Sequence, residues 1–228
     1  MKTIGLIGGM TWESTLEYYR LINKEVNNRL GGAVSAPIRM YSFNFEEVMD
    51  LENRLEQDGM ANRMAEEARR LEKDGAELIL LCANTAHQWA DVVQDRVKVP
   101  LIHIADATGL AIRSAGIQKV LLLGTMQTME RDFVKGRLAA AHGLHVIVPE
   151  KEDREEVSRV IYDELIRGHF WEASKQSLLR IIGRYPQASG VILGCTELPL
   201  LISVEDCELP LFNTTKLHAL AAVDYALK

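Results

Sequence analysis

Three short segments of this chain occur twice, in the same order and at nearly constant separation. Ile4-Gly5-Leu6-Ile7-Gly8-Gly9-Met10 is echoed by Val120-Leu121-Leu122-Leu123-Gly124-Thr125-Met126. Ile79-Leu80-Leu81-Cys82-Ala83-Asn84-Thr85 is echoed by Val191-Ile192-Leu193-Gly194-Cys195-Thr196-Glu197. Val99-Pro100-Leu101-Ile102-His103 is echoed by Leu209-Pro210-Leu211-Phe212-Asn213. The offsets are 116 residues for the first pair, 112 when Ala83 is matched with Cys195, and 110 for the prolines. Ordered self-similarity of this kind marks duplicated supersecondary units. Two similar halves related by a pseudo-two-fold are therefore expected.

Each repeated piece is an apolar run leading into a turn. Runs rich in Ile, Leu and Val occur near 3–8, 36–42, 77–82, 100–104, 118–124, 144–148, 190–194 and 209–212. Helical stretches separate them, at 14–30, 58–74, 106–115, 127–141, 153–167 and 171–184. Strands alternating with helices fold as parallel sheets covered by helices. The expected fold is thus α/β, with two similar parallel-sheet α/β halves and the active site in the cleft between them. Ligands of open parallel sheets bind beyond the carboxyl ends of the strands. The turns after residues 8, 82, 124 and 194 then line the cleft. The last helix, from about 214, is expected to cross back to the first half. That makes the first domain discontinuous, 1–104 plus 213–228, with 105–212 as the second.

A net charge of −6 and the lack of a basic cluster argue against nucleic acid. No apolar stretch reaches the roughly 20 residues of a membrane helix. The start, Thr3-Ile4-Gly5-Leu6-Ile7, has no basic leader region, so a cytoplasmic protein is expected. Cys82, Cys195 and Cys207 form no disulfide framework and lack CxxC spacing, so neither disulfides nor a metal site are expected.

The turns hold the candidate chemistry. Gly5, Gly8 and Gly9 read as a tight turn needing close backbone approach, or as a turn packed beside a small ligand. Their G-x-x-G-G spacing is a poor match to a dinucleotide fingerprint. Asn84 and Thr85 read either as helix caps or as donors for a carboxylate, and Thr196 has the same two readings. Thr128 is a candidate cap after the strand at 118–124. Cys195 is either an inert core thiol or a thiol at a helix N-terminus, where exposed N–H groups and the dipole favour thiolate. Cys82 faces the opposite side from position 83, because strand side chains alternate. Arg167 ends a helix, either as a dipole partner or as a cation for a second substrate carboxylate.

Four motifs together carry a resemblance: Gly-Leu-Ile-Gly-Gly-Met-Thr-Trp-Glu-Ser-Thr at 5–15, Cys-Ala-Asn-Thr-Ala-His at 82–87, Leu-Gly-Thr-Met-Gln-Thr-Met at 123–129 and Gly-Cys-Thr-Glu at 194–197. Over essentially its whole length the chain resembles the aspartate/glutamate racemase family, in particular its broad-specificity or L-aspartate/glutamate-specific branch. The resemblance implies a racemase that uses no pyridoxal phosphate and no other cofactor. Its substrate would be a small acidic amino acid, and its assembly a homodimer. Two thiols flanking Cα exchange the proton in such enzymes. Cys195 is then one acid/base, and Met10, Asn84, Thr85, Thr128 and Thr196 are substrate contacts, with Arg167 a further candidate.

The departure is at the other thiol. The family's usual Cys-Asn-Thr reads Ala83-Asn84-Thr85 here, and Cys82 lies one residue off the family position. Three outcomes are open: a one-sided or weak racemase, a binding protein on a racemase scaffold, or a one-thiol isomerase or lyase.

Overall fold

The computed structural model describes residues 1–53 and 57–228. The chain divides into two compact units, residues 1–103 with 218–228, and residues 104–217.

The first unit runs β1 (Ile4–Gly8), α1 (Trp12–Leu30), β2 (Ile38–Ser42), α2 (Phe45–Asn53), α3 (Gln57–Lys73) and β3 (Leu78–Leu81), then a 3₁₀ turn (Thr85–Trp89) and α4 (Ala90–Gln94). Its sheet has the order β2-β1-β3 with both pairings parallel. Ile4, Leu6, Leu78, Leu80 and Cys82 pack with Tyr18, Ile22 and Val26 of α1. Ile7, Ile79, Leu81 and Ala83 pack on the other side, with Met60, Met64 and Ala68 of α3. Both faces of the sheet are covered, which is why β1 and β3 are apolar throughout.

The strand expected at 100–104 is reduced to a single parallel bridge between Ile79 and Leu101. The carbonyls of Pro100 and Ile79 accept the N–H groups of Ile79 and Ile102. A helix then begins at Ile104, so the chain leaves the sheet after one pairing.

The second unit holds α5 (Ile104–Ser114), β4 (Lys119–Gly124), α6 (Met126–Glu130), α7 (Asp132–His142), β5 (His145–Ile147), α8 (Lys151–Arg159), α9 (Glu172–Gly183), β6 (Val191–Gly194), α10 (Leu198–Leu201) and β7 (Leu211–Asn213). Its sheet is parallel with the order β5-β4-β6-β7. Val120–Leu123 and Ile192 pack with Val134, Leu138, Leu178 and Ile181. The final helix, α11 (Thr214–Ala226), starts in this unit and ends in the first.

Two expected helices are interrupted. The stretch 127–141 divides at Arg131, whose backbone is extended, into α6 and α7. The stretch 153–167 begins earlier, at Lys151, and loosens into a π turn (Val160–Glu164) and a 3₁₀ turn (Leu165–Arg167). An Arg159–Glu164 ion pair at 2.7 Å spans the π turn. Gly168, at φ 76°, ends the segment in the left-handed conformation that glycine tolerates. Among the described residues, no helix is long and apolar enough to cross a membrane.

Candidate active site

In the first unit, β1 and β3 are neighbours, with Ile7 opposite Leu81. Their carboxyl ends carry the turns at 8–10 and 82–85. The glycine turn is a matter of space. A Cβ on Gly8 would lie 2.3 Å from Thr15 Oγ1, and one on Gly9 would lie 2.1 Å from the Phe43 carbonyl oxygen. Gly9 has φ +87° and donates its N–H to Thr15 Oγ1 at 2.8 Å. Met10 follows, partly buried against the core around α3.

Cys82 and Ala83 fall on opposite sides of the sheet, as alternation requires. Cys82 is fully buried among Leu80, Tyr18 and Val223, and burial pushes its thiol far above the ordinary value. The second acid offered at Cys82 is, in this structure, a core thiol. Ala83 is 8% exposed and Asn84 5%. Asn84 stands at the N-cap position of the 3₁₀ turn, yet its side chain makes no capping bond there. His87 instead fixes this turn. Its backbone N–H bonds the Asn84 carbonyl at 3.0 Å, and its ring Nδ1 lies 2.9 Å from the Ala83 carbonyl.

In the second unit, β4 and β6 are neighbours, with Gly124 opposite Gly194. Thr125 caps α6, its Oγ1 accepting the Thr128 N–H at 3.3 Å and lying 3.0 Å from the Thr128 hydroxyl. The cap role thus belongs to Thr125 and not to Thr128. Thr128 is fully buried, and a Cβ on Gly124 would lie 3.0 Å from its methyl. Its contribution in this structure is to cover two strand ends.

Cys195 follows β6. Its Sγ donates to Glu197 Oε2 at 2.9 Å, and the Thr196 hydroxyl donates to the same oxygen at 2.6 Å. Burial, and then the Glu197 carboxylate, raise the Cys195 thiol well above its ordinary value. Burial and the carboxylate thus oppose the thiolate that a helix N-terminus would favour. The helix that follows, α10, has four residues, begins at Leu198 and is capped by Glu197. Four residues align too few peptides for a useful dipole, and the nearest formal charge is negative. The resting side chain is a protonated thiol aimed at a carboxylate.

The structure thus brings Cys195, Thr196 and Glu197 together in one turn, with Thr125 and Thr128 at the cap and in the first turns of α6, after the adjoining strand. In the other unit it brings Met10, Ala83, Asn84 and Thr85 to adjoining strand ends. Arg167 is exposed in the 3₁₀ turn and forms no ion pair among the described residues. Glu197 is the residue that sequence reasoning undervalued. Its signal was its place two residues after the cysteine, which a tight turn converts into contact. Among the described residues, no group of three or more His, Cys, Asp or Glu is arranged to hold a metal.

Two parallel sheets, each covered by helices and each in its own compact unit, define a two-unit α/β fold. The chain belongs to the Asp/Glu/hydantoin racemase family, which it matches over residues 7–222. It is an isomerase of the amino-acid racemase class. It is 25% identical to the broad specificity amino-acid racemase RacX of Bacillus subtilis, over 96% of both chains. Among solved structures it resembles a candidate Asp/Glu racemase from Yersinia pestis, with 46% identity, TM-score 0.95 and full coverage of both chains. It also resembles an aspartate racemase homologue from Pyrococcus horikoshii, with 38% identity, TM-score 0.89 and full coverage of both.

Proposed function

We propose that this enzyme exchanges the α-proton of a small acidic amino acid, aspartate or glutamate, by thiol chemistry without pyridoxal phosphate. The observation that carries this reading is the buried Cys195–Glu197 contact at 2.9 Å within the family's Gly-Cys-Thr-Glu motif. The acidic substrate is supported by the aspartate racemase homologue at 38% identity.

In this reading Cys195 works in two protonation states. As the resting thiol it donates its proton to a Cα carbanion, and the S–H bond becomes a C–H bond. To act as a base it first passes its proton to Glu197 Oε2, and the thiolate then takes the α-proton. Glu197 is thus the group that receives the thiol proton before the α-proton is taken. Thr196 steadies the carboxylate through its 2.6 Å bond. Carbanion formation without a cofactor needs aimed donors on the substrate carboxylate. Asn84 and Thr85 are the proposed donors, because the one hydroxyl hydrogen of Thr196 already goes to Glu197, with Met10 beside the substrate and Arg167 a candidate for the side-chain carboxylate. Thr128 is left out because its hydroxyl is committed to Thr125. Cys82 is left out because it is a core residue.

Alanine at position 83 supplies no proton. The family places its other acid/base there, so the exchange is proposed to be one-sided or weak. The same alanine favours a second reading, a protein that binds an acidic amino acid without turning it over.

One assay separates the two. The enzyme is incubated in heavy water with each enantiomer of aspartate and glutamate, and deuterium at Cα is read by mass spectrometry. Uptake by the native protein that is lost in Cys195→Ala supports exchange. No uptake with any of them, together with a melting shift on adding them, supports binding only. A homodimer is proposed as well. Trp12, Leu16 and Tyr19 form an exposed apolar stripe at helical spacing on α1. Sedimentation of the native protein at one mass per chain would remove that proposal. A cytoplasmic location belongs to the same reading.

A further inference from the structure

Three imidazoles lie together inside the first unit, and the chemistry above uses none of them. His87, His103 and His218 are 2%, 5% and 0% exposed. The ring centroids of His87 and His103 are 4.7 Å apart, and those of His87 and His218 are 5.3 Å apart. They come from distant parts of the sequence. His87 is in the turn after Ala83, His103 is the last residue before the chain enters the second unit, and His218 is the first residue after it returns.

Their protonation follows from their partners. A backbone carbonyl can only accept, so the His218 Nε2 that lies 2.6 Å from the Ile102 carbonyl carries hydrogen. Its Nδ1 is then an acceptor, and the Tyr18 hydroxyl donates to it at 2.7 Å. By the same argument His87 Nδ1 carries hydrogen and donates to the Ala83 carbonyl. Burial holds both rings neutral, helped at His87 by the neighbouring imidazoles. The titratable groups packed around His87 are His103 and His218, with Tyr18 bonded to His218 and Cys82 close to Tyr18.

We infer that His87 is a positioning residue for the substrate turn, and that His103, His218 and Tyr18 brace it. The Ala83 carbonyl is fixed by the His87 ring, and the ring is fixed by its imidazole neighbours. His218 in turn ties Tyr18 of α1 to the backbone of Ile102. The orientation of Asn84 and Thr85 depends on the chain crossings at 103 and 218 through this one knot. A proton added to His87 would place a cation among buried rings and loosen the turn. The catalytic part of this inference rests on the racemase reading, in which Asn84 and Thr85 hold the substrate carboxylate.

His87→Asn and His87→Phe test it in the full chain. Asparagine can present a donor near the place of Nδ1, whereas phenylalanine keeps a ring without a donor. His87→Phe is expected to lower kcat/KM on the order of 10- to 100-fold, chiefly through KM, with His87→Asn recovering most of it. Equal losses in kcat alone for both variants would overturn the positioning role. Two measurements do not require turnover. Long-range ¹H–¹⁵N spectra of the native protein should show His87 as the Nδ1–H tautomer and His218 as the Nε2–H tautomer, both neutral at pH 6. A charged ring at pH 6, or the opposite tautomers, would overturn the inference whether or not the protein racemises anything. Amide hydrogen exchange at residues 83–85 should quicken in His87→Phe and not in His87→Asn. Unchanged exchange in both would also overturn it. Should His87→Phe fail to fold, the spectra and His87→Asn still decide.

Discussion

The turns after β3 and β6 begin from matching sequence and arrive at opposite chemistry. Each follows a buried parallel strand, and each carries a cysteine within two residues of the strand end. After β3 the thiol is one residue early, so it points into the core, and a methyl group takes the position that follows. After β6 a glycine takes the early place and the thiol sits beyond it. The polar surroundings differ as well. The first turn is tied by the neutral imidazole of His87, and the second is built around a carboxylate. A shift of one residue on a strand reverses the face of a side chain, and here that places Cys82 and Ala83 on opposite sides of the first sheet.

The two turns should therefore fail differently in acid. His218 is held neutral by burial, with its value lowered from 6.5 to about 4. The unfolded chain takes up this proton first. Stability from this group is thus complete above about pH 6.5 and is lost as pH falls toward 4. The loss reaches about 3 kcal/mol at most. Urea unfolding at pH 7.5, 6 and 4.5, compared with His218→Gln, measures it. A wild type that shows the same pH slope as the variant would break this part of the comparison.

Glu197→Gln tests the other turn. The amide keeps an acceptor for Thr196 but removes the charge and the group that receives the thiol proton. Isotope exchange at Cα should fall about 100-fold, within the range of general acid–base effects. The thiol should at the same time alkylate at lower pH than in the native protein, because the neighbouring negative charge has gone. A slower exchange with an unchanged alkylation profile would argue that Glu197 acts by packing alone.

Ala83→Cys restores a thiol where the family has one. Exchange should rise about tenfold for the enantiomer that the native enzyme handles poorly, the lower end of an added acid/base. No gain for either enantiomer would mean that residue 83 does not serve the reacting carbon. The smallest effect belongs to Cys82→Ala. Exchange should stay within about twofold, while stability falls by about 1–2 kcal/mol for a filled core position left partly empty. A large loss of exchange at unchanged stability would return Cys82 to the chemistry.

Much of the fold was legible because apolar runs and repeats are local properties of the sequence. β1, β3, β4 and β6 were expected within a residue or two, since each is an apolar run ended by a turn. The strand at 100–104 was overread, because an apolar, proline-led segment has the right composition whether it pairs over its length or at one bridge. The long helices at 127–141 and 153–167 were overread for a similar reason. Composition does not mark Arg131 as a break, and no periodicity announces the π turn at Val160–Glu164.

The site divides along the same line. The sequence by itself determined that Cys195 follows a buried strand, that Ala83 cannot carry a proton, and that Cys82 faces away from position 83. These follow from residue identity and the two-residue period of a strand. Only the tertiary structure decided the protonation of the thiol. A short helix gave no useful dipole, a carboxylate came within 2.9 Å, and burial removed the water that would have screened it. Likewise, only folding could bring residues 18, 87, 103 and 218 into one buried knot. Electrostatic environment is a property of distances in space, and residues far apart in the chain do not declare them.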